Sequence, residues 1–289
     1  MKIKELFTKE KKVFSFEFFP PKTEKGEKNL FRAIRELQDL QPDFVSVTYG
    51  ALGTTQDKSL EIVKHIQTDM GLNVMAHYTC IGATEEKVDA FLKSLETLRV
   101  ENILALRGDS PQGMSVEEAF QNSPFRHAID LVRYIKKKAP HFSIGVAGYP
   151  EGHIECTSKE KSLRHLKEKV DAGADCVVTQ LFFNNEDFFS FRMHAEKIGI
   201  CVPIIPGIMP IENFRQLEKI TALCGSRIPR ELRDYFNRTD ISDDDKKKFG
   251  IEHTTAQCRE LLSKDIPGLH FYTLNKSSAT REIFEKLHG

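Results

Sequence analysis

The amino-acid sequence predicts an α/β protein, a single-domain (β/α)8 TIM barrel. Its 289 residues alternate short β-branched or aromatic runs with longer charged stretches of helical spacing. A strand–helix repeat of roughly 30 residues is typical of βαβ units in a parallel sheet. Eight such repeats favour a closed barrel. The alternative, an open doubly wound sheet, is disfavoured because no predicted strand is followed by a glycine-rich nucleotide-binding motif.

The predicted strands follow one another at regular intervals, with helical patterns between them. They are Val13–Phe18, Asp43–Thr48, Asn73–Thr79, Asn102–Leu106, Phe142–Gly148, Cys176–Phe182, Pro203–Ile208 and Leu269–Leu274. The repeat is interrupted once, where two helical patterns, Glu231–Asn237 and Asp243–Leu262, precede the last strand. We interpret residues 1–289 as one domain with a helical insertion around 230–264, because no Gly/Ser-rich or Pro-rich linker divides the chain.

Composition excludes several classes of protein. Lysine plus arginine equals aspartate plus glutamate, 42 each, so the basic excess of a general nucleic-acid surface is missing. None of the six cysteines forms a Cys-x-x-Cys pair, which argues against a zinc ribbon or an iron–sulfur cluster. The first 13 residues do not resemble a secretory signal, and no apolar run has the length of a membrane span. We therefore expect a cytoplasmic protein with no membrane association.

The first predicted strand carries a carboxylate among phenylalanines. Side chains alternate between the faces of a strand, so Glu17 shares a face with Ser15, while Phe14, Phe16 and Phe18 share the other. Small or polar residues suit the crowded interior of a barrel, and we therefore place Glu17 inside it. Loss of solvation raises the pKa of a carboxyl group, and a carboxyl that stays protonated near neutral pH can act as a general acid. A Glu that simply pairs with a lysine or faces water is the competing interpretation.

Most of the other predicted strands also end in groups that can bind or donate. In barrel enzymes the site lies at these carboxyl ends, so seven converging polar ends predict a site there. Taken singly, His77 could be a core histidine, Arg107 could pair with Asp109, and Tyr149 could serve packing alone. No third ligand accompanies His153 and His165, so we expect no metal site.

The motifs along the chain resemble those of the methylenetetrahydrofolate reductase family. They occur in family order over nearly the whole chain, and together they are very specific. They are Ser15-Phe16-Glu17-Phe18-Phe19-Pro20-Pro21, residues 44–50, His77-Tyr78-Thr79-Cys80, Leu104-Ala105-Leu106-Arg107-Gly108-Asp109, Tyr149-Pro150-Glu151, residues 169–174, Thr179-Gln180-Leu181-Phe182-Phe183, Ile205-Pro206-Gly207-Ile208 and residues 270–275.

The resemblance implies a barrel that binds FAD, takes electrons from NADH or NADPH and passes them to 5,10-methylenetetrahydrofolate. The product is 5-methyltetrahydrofolate, for methionine synthesis, and the two substrates react in turn by a ping-pong scheme. Members of this family often form weakly held oligomers, so the resemblance also implies a homo-oligomer. Two alternatives stay open: electrons delivered by a partner iron–sulfur protein, and a non-enzymatic barrel that binds flavin or folate.

The resemblance also assigns roles to individual residues. It implies Glu17 as the general acid at N10 of the folate and Asp109 as the carboxylate that stabilises the resulting cation. The implied FAD contacts are Thr48, Tyr49, Ala51, His77, Arg107, Gly108, Asp109, Ala128, Tyr149, His153, His165 and Lys169. The implied substrate contacts are Thr48, Asp109, Gln180, Gln216 and Lys276.

The chain departs from the bacterial family pattern at several of these places. Lys276 replaces an arginine and so loses the bidentate fork. Ser162, His165 and Glu168 replace Asp, Asn and Arg on the FAD-binding helix, and Ile220 replaces a Phe that packs on nicotinamide. The departure at Ile220 leaves the choice between NADH and NADPH open.

Overall fold

The computed structural model describes residues 1–8, 11–49, 54–109, 113–121 and 123–289. Within them, nine strands form one sheet in which paired neighbours run parallel. The strands are β1 (Val13–Phe18), β2 (Phe44–Val47), β3 (Val74–Thr79), β4 (Asn102–Leu106), β5 (Ser143–Gly148), β6 (Cys176–Thr179), β7 (Ile204–Ile205), β8 (Gly207–Ile208) and β9 (Gly268–Tyr272).

The sheet closes through a strand that is interrupted at Pro206. Only this residue separates β7 from β8, and β7 pairs with β6 while β8 pairs with β9. Proline has no N–H to give to a ladder, so regular pairing stops there. Its carbonyl still accepts the N–H of His270 at 3.0 Å. The two halves act as one seventh strand, and the predicted (β/α)8 barrel is confirmed.

Helices surround the barrel, and several begin at a side-chain cap that the sequence supplies. Thr23, Thr84 and Ser158 each accept a backbone N–H from the first helical turn, which satisfies one of its free donors. The helices are α1 (Glu24–Gln38), α2 (Thr54–Lys64), α3 (Glu85–Thr97), α4 (Val116–Ala119), α5 (Ala128–Lys138), α6 (Lys159–Asp171), α7 (Asn185–Lys197), α8 (Phe214–Cys224), α9 (Arg230–Phe236), α10 (Asp243–Leu262) and α11 (Ser278–His288). Among the described residues, no helix combines the length and the apolar composition needed to cross a membrane.

The segment 230–264 contains the two helices that its pattern predicts, α9 and α10. Helix α10 packs against α7 and α11. Asn185 at the start of α7 donates to the carbonyl of Gln257 at 3.1 Å, and the Gln257 amide donates to the carbonyl of Phe182 at 2.9 Å. α10 therefore covers the outside of the barrel. The interpretation of the whole chain as one domain with an insertion stays a prediction.

The strands bury side chains on both faces. On the outside, Phe16 and Phe271 are fully buried, and the ring of Phe16 also packs against Phe284 of α11. On the inside, Phe44, Met75 and other apolar residues form a separate cluster. Each fully buried phenylalanine contributes roughly 2 kcal/mol through the area it removes from water. The side chains of the strands thus alternate between the barrel interior and the surrounding helices, as predicted for β1.

The amino-terminal end of the barrel is closed by the short 3-10 helix Ile3–Glu5. Ile3 is fully buried within the interior apolar cluster. Its N–H donates to the side chain of Asn102, the first residue of β4, at 2.7 Å. The amino group of Met1 pairs with Glu101 at 2.7 Å. Because this end is filled, open space for a ligand lies at the other end of the strands.

Candidate functional site

Side chains at the carboxyl ends of the strands surround a cavity of about 510 Å³. Three apolar residues with large exposed fractions, Phe19, Ile154 and Leu223, also line it. Ten of the residues predicted from sequence line this cavity: Glu17, Thr48, Tyr49, His77, Arg107, Gly108, Asp109, Tyr149, His153 and Gln180. The barrel therefore brings these ten together, as expected for strand ends. Their individual roles stay predictions.

Glu17 lies where three strands bring polar groups together. The register aligns Glu17 with Ser46 on β2 and with Tyr272 on β9. Its Oε2 accepts from the Ser46 hydroxyl at 3.4 Å and lies 3.3 Å from Nε2 of His270 and 3.4 Å from Nε2 of His77. The Glu17 side chain is 17% exposed. The Glu17 carboxylate is therefore held by Ser46 and His270 inside the barrel and still lines the cavity.

His270 was not predicted from the sequence as a site residue. Ser15 and His270 are register partners on adjacent strands, and Ser15 Oγ lies 2.7 Å from His270 Nδ1. If the Ser15 hydroxyl donates to Nδ1, the proton of the neutral ring is on Nε2 and can be donated to Glu17. The alternation of side chains along the last predicted strand could have identified it, because His270 and Tyr272 lie on the face of β9 that points into the barrel.

The expectation that burial gives Glu17 a raised pKa is wrong for this structure. Burial does raise the pKa of Glu17, but His77, His270 and the Ser46 hydroxyl together lower it further, and the net direction is downward. Burial also lowers the pKa of His77 to about 4, against the opposing effect of Glu17. The ring of His77 is therefore neutral at pH 7.

Of the two predicted cations, Arg107 lines the cavity, and Lys169 contacts two of the lining residues, Ala147 and Tyr149. Arg107 donates to Glu155 at 2.7 Å, so its ionic partner is Glu155 rather than Asp109. Lys169 donates to the carbonyl of Ala147 at 2.6 Å, and burial lowers its pKa to about 8. Both can bind a diphosphate, Arg107 as a planar fork and Lys169 as a point charge.

The ring of His77 adds a buried polar atom to this set. His77 Nε2 is buried and makes no hydrogen bond of acceptable geometry with the described residues, although it lies 3.4 Å from Glu17. A buried polar atom without a partner costs free energy that a ligand can recover. Two cations and an unsatisfied ring nitrogen fit an anionic, hydrogen-bonding cofactor such as a dinucleotide. In the described part of the chain, no three His, Cys, Asp or Glu side chains are grouped to hold a metal ion.

Aromatic residues and a glycine shape the cavity wall. The rings of Tyr49 and Tyr78 lie 4.7 Å apart. Tyr149 is half-buried, its loss of solvation raises its pKa to about 12, and the charge of Asp109 acts in the same direction. Gly108 has φ +81°, and a Cβ there would lie 3.0 Å from Thr79. A flat ring can approach the backbone at Gly108 more closely than at any residue with a side chain.

Several predicted residues lie away from this cavity. Gln216 and Lys276 line a small neighbouring depression, where Lys276 pairs with Glu212 at 3.1 Å. Ala128 is the buried first residue of α5. His165 on α6 is exposed, with its Nδ1 3.8 Å from the sulfur of Cys156. Ala51 lies outside the described residues.

Comparison with known proteins gives a consistent picture. The family model "Methylenetetrahydrofolate reductase" matches residues 2–288. "Methylenetetrahydrofolate reductase (NADH) 1" of Arabidopsis thaliana is 40% identical over 99% of this chain and 50% of its own length. "5,10-methylenetetrahydrofolate reductase" of Escherichia coli is 38% identical over 94% of this chain and 90% of its own. The chain thus spans about half the length of the plant relatives it matches and most of the bacterial one.

A solved structure shares the fold. It is described as an uncharacterized protein from Clostridium thermocellum that binds two copies of 5-methyl-5,6,7,8-tetrahydrofolic acid. The TM-score is 0.71, the sequence identity is 17%, and the alignment covers 99% of each chain. At this identity the likeness supports the barrel architecture.

Proposed function

Because the chain belongs to the methylenetetrahydrofolate reductase family, we propose that it reduces 5,10-methylenetetrahydrofolate to 5-methyltetrahydrofolate, with FAD as cofactor and NADH or NADPH as electron donor. The observation that carries this proposal is the position of Glu17, anchored by His270 and Ser46 and facing a cavity flanked by Arg107 and Lys169. A proton donor and an anion-binding wall are the two features that such a reaction needs from the protein.

The residues present fit FAD. When bound, FAD supplies hydride acceptance from the nicotinamide and hydride donation to the folate. Arg107 and Lys169 would hold its pyrophosphate, and Arg107 would exchange Glu155 for phosphate oxygens. The unsatisfied Nε2 of His77 would gain a partner, and Gly108 would admit the flat ring. Thr48, Tyr49, Tyr149 and His153, four further predicted contacts, line the same cavity.

Glu17 would hold and move the proton. Its lowered pKa means that the carboxyl is ionised in the free protein at neutral pH. A pterin seated over Glu17 would remove the water that still reaches the side chain, and loss of solvation raises the pKa of a carboxyl. The acid form would therefore arise with substrate bound, and it would protonate N10 to open the five-membered ring to an N5 iminium ion.

Asp109 would stabilise that cation. Its carboxylate lines the cavity on the β4 side. A fixed negative charge near a developing positive charge lowers the barrier more in a site that excludes water than in solution. Gln180, whose Oε1 accepts the N–H of Leu181 at 2.9 Å, has its amide N–H2 available, among the described residues, to address the pterin or the nicotinamide.

The test separates the two half-reactions. Protein reconstituted with FAD is mixed anaerobically with NADH and, in parallel, with NADPH, and flavin bleaching is followed by stopped flow. Turnover of methylenetetrahydrofolate is measured separately. In Glu17→Gln, flavin reduction should persist while folate reduction falls by about 10²- to 10⁴-fold, the usual contribution of general acid catalysis.

Glu61→Gln is the matched control. It removes one exposed carboxylate on α2 and should change neither half-reaction. Folate reduction that survives in Glu17→Gln would remove Glu17 from the mechanism. Protein that takes up no flavin, or whose flavin is bleached by neither nucleotide, would contradict the proposed function itself.

A further inference from the structure

Arg227, in the segment that follows α8, holds two carboxylates from different parts of the barrel rim. Its backbone N–H and its Nε both donate to Glu151, Nε at 2.6 Å, and its Nη2 donates to both oxygens of Asp187 at 2.9 Å. Glu151 lies in the loop after β5, and Asp187 lies in the first turn of α7. We call these three residues the Arg227 clamp.

The burial of the clamp is asymmetric. The side chains of Glu151 and Asp187 are 9% and 13% exposed, whereas that of Arg227 is 69% exposed. Two carboxylates with little access to water repel each other unless a cation lies between them. Lys159 reaches Asp187 at 3.3 Å, but in the described part of the chain Arg227 is the residue that joins Asp187 to Glu151. The loop, α7 and the segment after α8 are thus tied at one point.

The tied segment continues into the cavity wall. Helix α8 ends at Cys224, and Gly225 follows in the left-handed conformation, where an added Cβ would lie 3.1 Å from the side chain of Ile154. The Ser226 hydroxyl then donates to the carbonyl of Leu181 at 2.7 Å. Arg227 follows directly, so the end of α8 is fixed within three residues of its last turn.

The cavity side of this end is apolar. Ile220, Leu223 and Cys224 on α8 line the cavity, together with Ile154 and Leu181. Leu223 is 82% exposed and Ile154 is 60% exposed. Large apolar side chains this exposed at the rim of a cavity mark a surface that a ligand covers. A flat, partly apolar ring is the ligand chemistry that such a wall accepts.

We propose that Arg227 is a positioning residue whose clamp sets the apolar wall against which the ring of each exchanging substrate packs. This inference rests on the proposed function, because it assigns the wall to the nicotinamide and pterin rings. Arg227 itself is not among the residues that line the cavity. Loosening the clamp lets the end of α8 move away from the cavity, so substrates bind more weakly, while the groups that carry out the chemistry on β1, β4 and β9 stay in place.

The experiment measures binding and chemistry apart. Arg227→Gln removes the charge and the fork, and Arg227→Lys keeps the charge alone. Arg230→Gln is the matched control, because Arg230 is 92% exposed, lies three residues further along and pairs only with Asp234 among the described residues. Each variant is loaded with FAD, its flavin content and melting temperature are recorded, and flavin reduction is followed over a range of NADH and NADPH concentrations.

The half-saturating nucleotide concentration should rise about tenfold in Arg227→Gln and less in Arg227→Lys, with the limiting rate of reduction within about twofold of the parent. The KM for methylenetetrahydrofolate should rise likewise, and Arg230→Gln should match the parent. Unchanged half-saturation in folded, flavin-loaded Arg227→Gln would overturn the proposal. A fall in flavin content or in the limiting rate of reduction, without a rise in the half-saturating nucleotide concentration, would also overturn it. If Arg227→Gln does not fold, the same criterion applies to Arg227→Lys. A parent protein whose flavin neither nucleotide reduces would instead contradict the proposed function.

Discussion

Lowering the pH should destabilise this protein through His77. Burial lowers the pKa of His77 from 6.5 to about 4, so between these values the unfolded chain binds a proton that the folded protein does not. Stability therefore falls as the pH falls through this window. From pH 7 to pH 5 the loss attributable to His77 is about 2 kcal/mol. Glu17, whose pKa lies below its ordinary 4.5, loses its own contribution only at lower pH.

His77→Gln isolates this contribution. Unfolding free energies are measured by urea denaturation at pH 7, 6 and 5 and constant ionic strength, for the parent and the variant. The parent should lose about 2 kcal/mol more than the variant between pH 7 and 5. Other partly buried histidines, such as His153, are common to both proteins and cancel in the difference. His141→Gln, which removes a half-exposed histidine near Glu96, is the control for the loss of a histidine that is not buried. Equal pH dependence in parent and His77→Gln would refute the reasoning.

Two further substitutions test the predicted FAD site and the packing at Gly207, where the interrupted strand closes the barrel. Glu155→Gln frees Arg107 from its ionic partner, so FAD should bind to the apoprotein roughly threefold more tightly in a fluorescence titration, and an unchanged or weaker affinity would show that Glu155 does not compete. Gly207→Ala places a Cβ 2.2 Å from the carbonyl oxygen of Thr179 and 2.6 Å from the ring of Tyr272, so the backbone must shift. Urea denaturation should show a loss of about 3 kcal/mol, and a loss below about 0.5 kcal/mol would contradict the close packing described at this position.

The barrel was predictable because local signals agree along the whole chain. The alternation of Phe14, Phe16 and Phe18 with Ser15 and Glu17 defines a strand with one apolar and one polar face, and the structure places Glu17 inside. The break at Pro206 was not predicted, because a continuous apolar run around a proline reads as one strand. Its physical cause, the missing N–H, matters only once the partner strands are known.

The electrostatics of the site could not be predicted in the same way. The pKa of Glu17 depends on His77 and on His270, which is 253 residues away in sequence. Burial alone suggests a raised value, and the sign changes only when strands β3 and β9 bring their histidines to the same carboxylate. The positions of Gln216 and Lys276 also depend on contacts that the sequence does not show. Both line the neighbouring depression, where Lys276 pairs with Glu212.

The short helix at Ile3–Glu5 has a consequence for the order of events in the proposed reaction. Ile3 closes the amino-terminal end of the barrel, and among the described residues the cavity opens at the carboxyl-terminal end of the strands. A molecule that enters the cavity through this end must therefore also leave through it. If the nicotinamide and the folate both reach the space above Glu17, the first must leave before the second arrives. The two substrates would then bind in turn because they share one space and one opening.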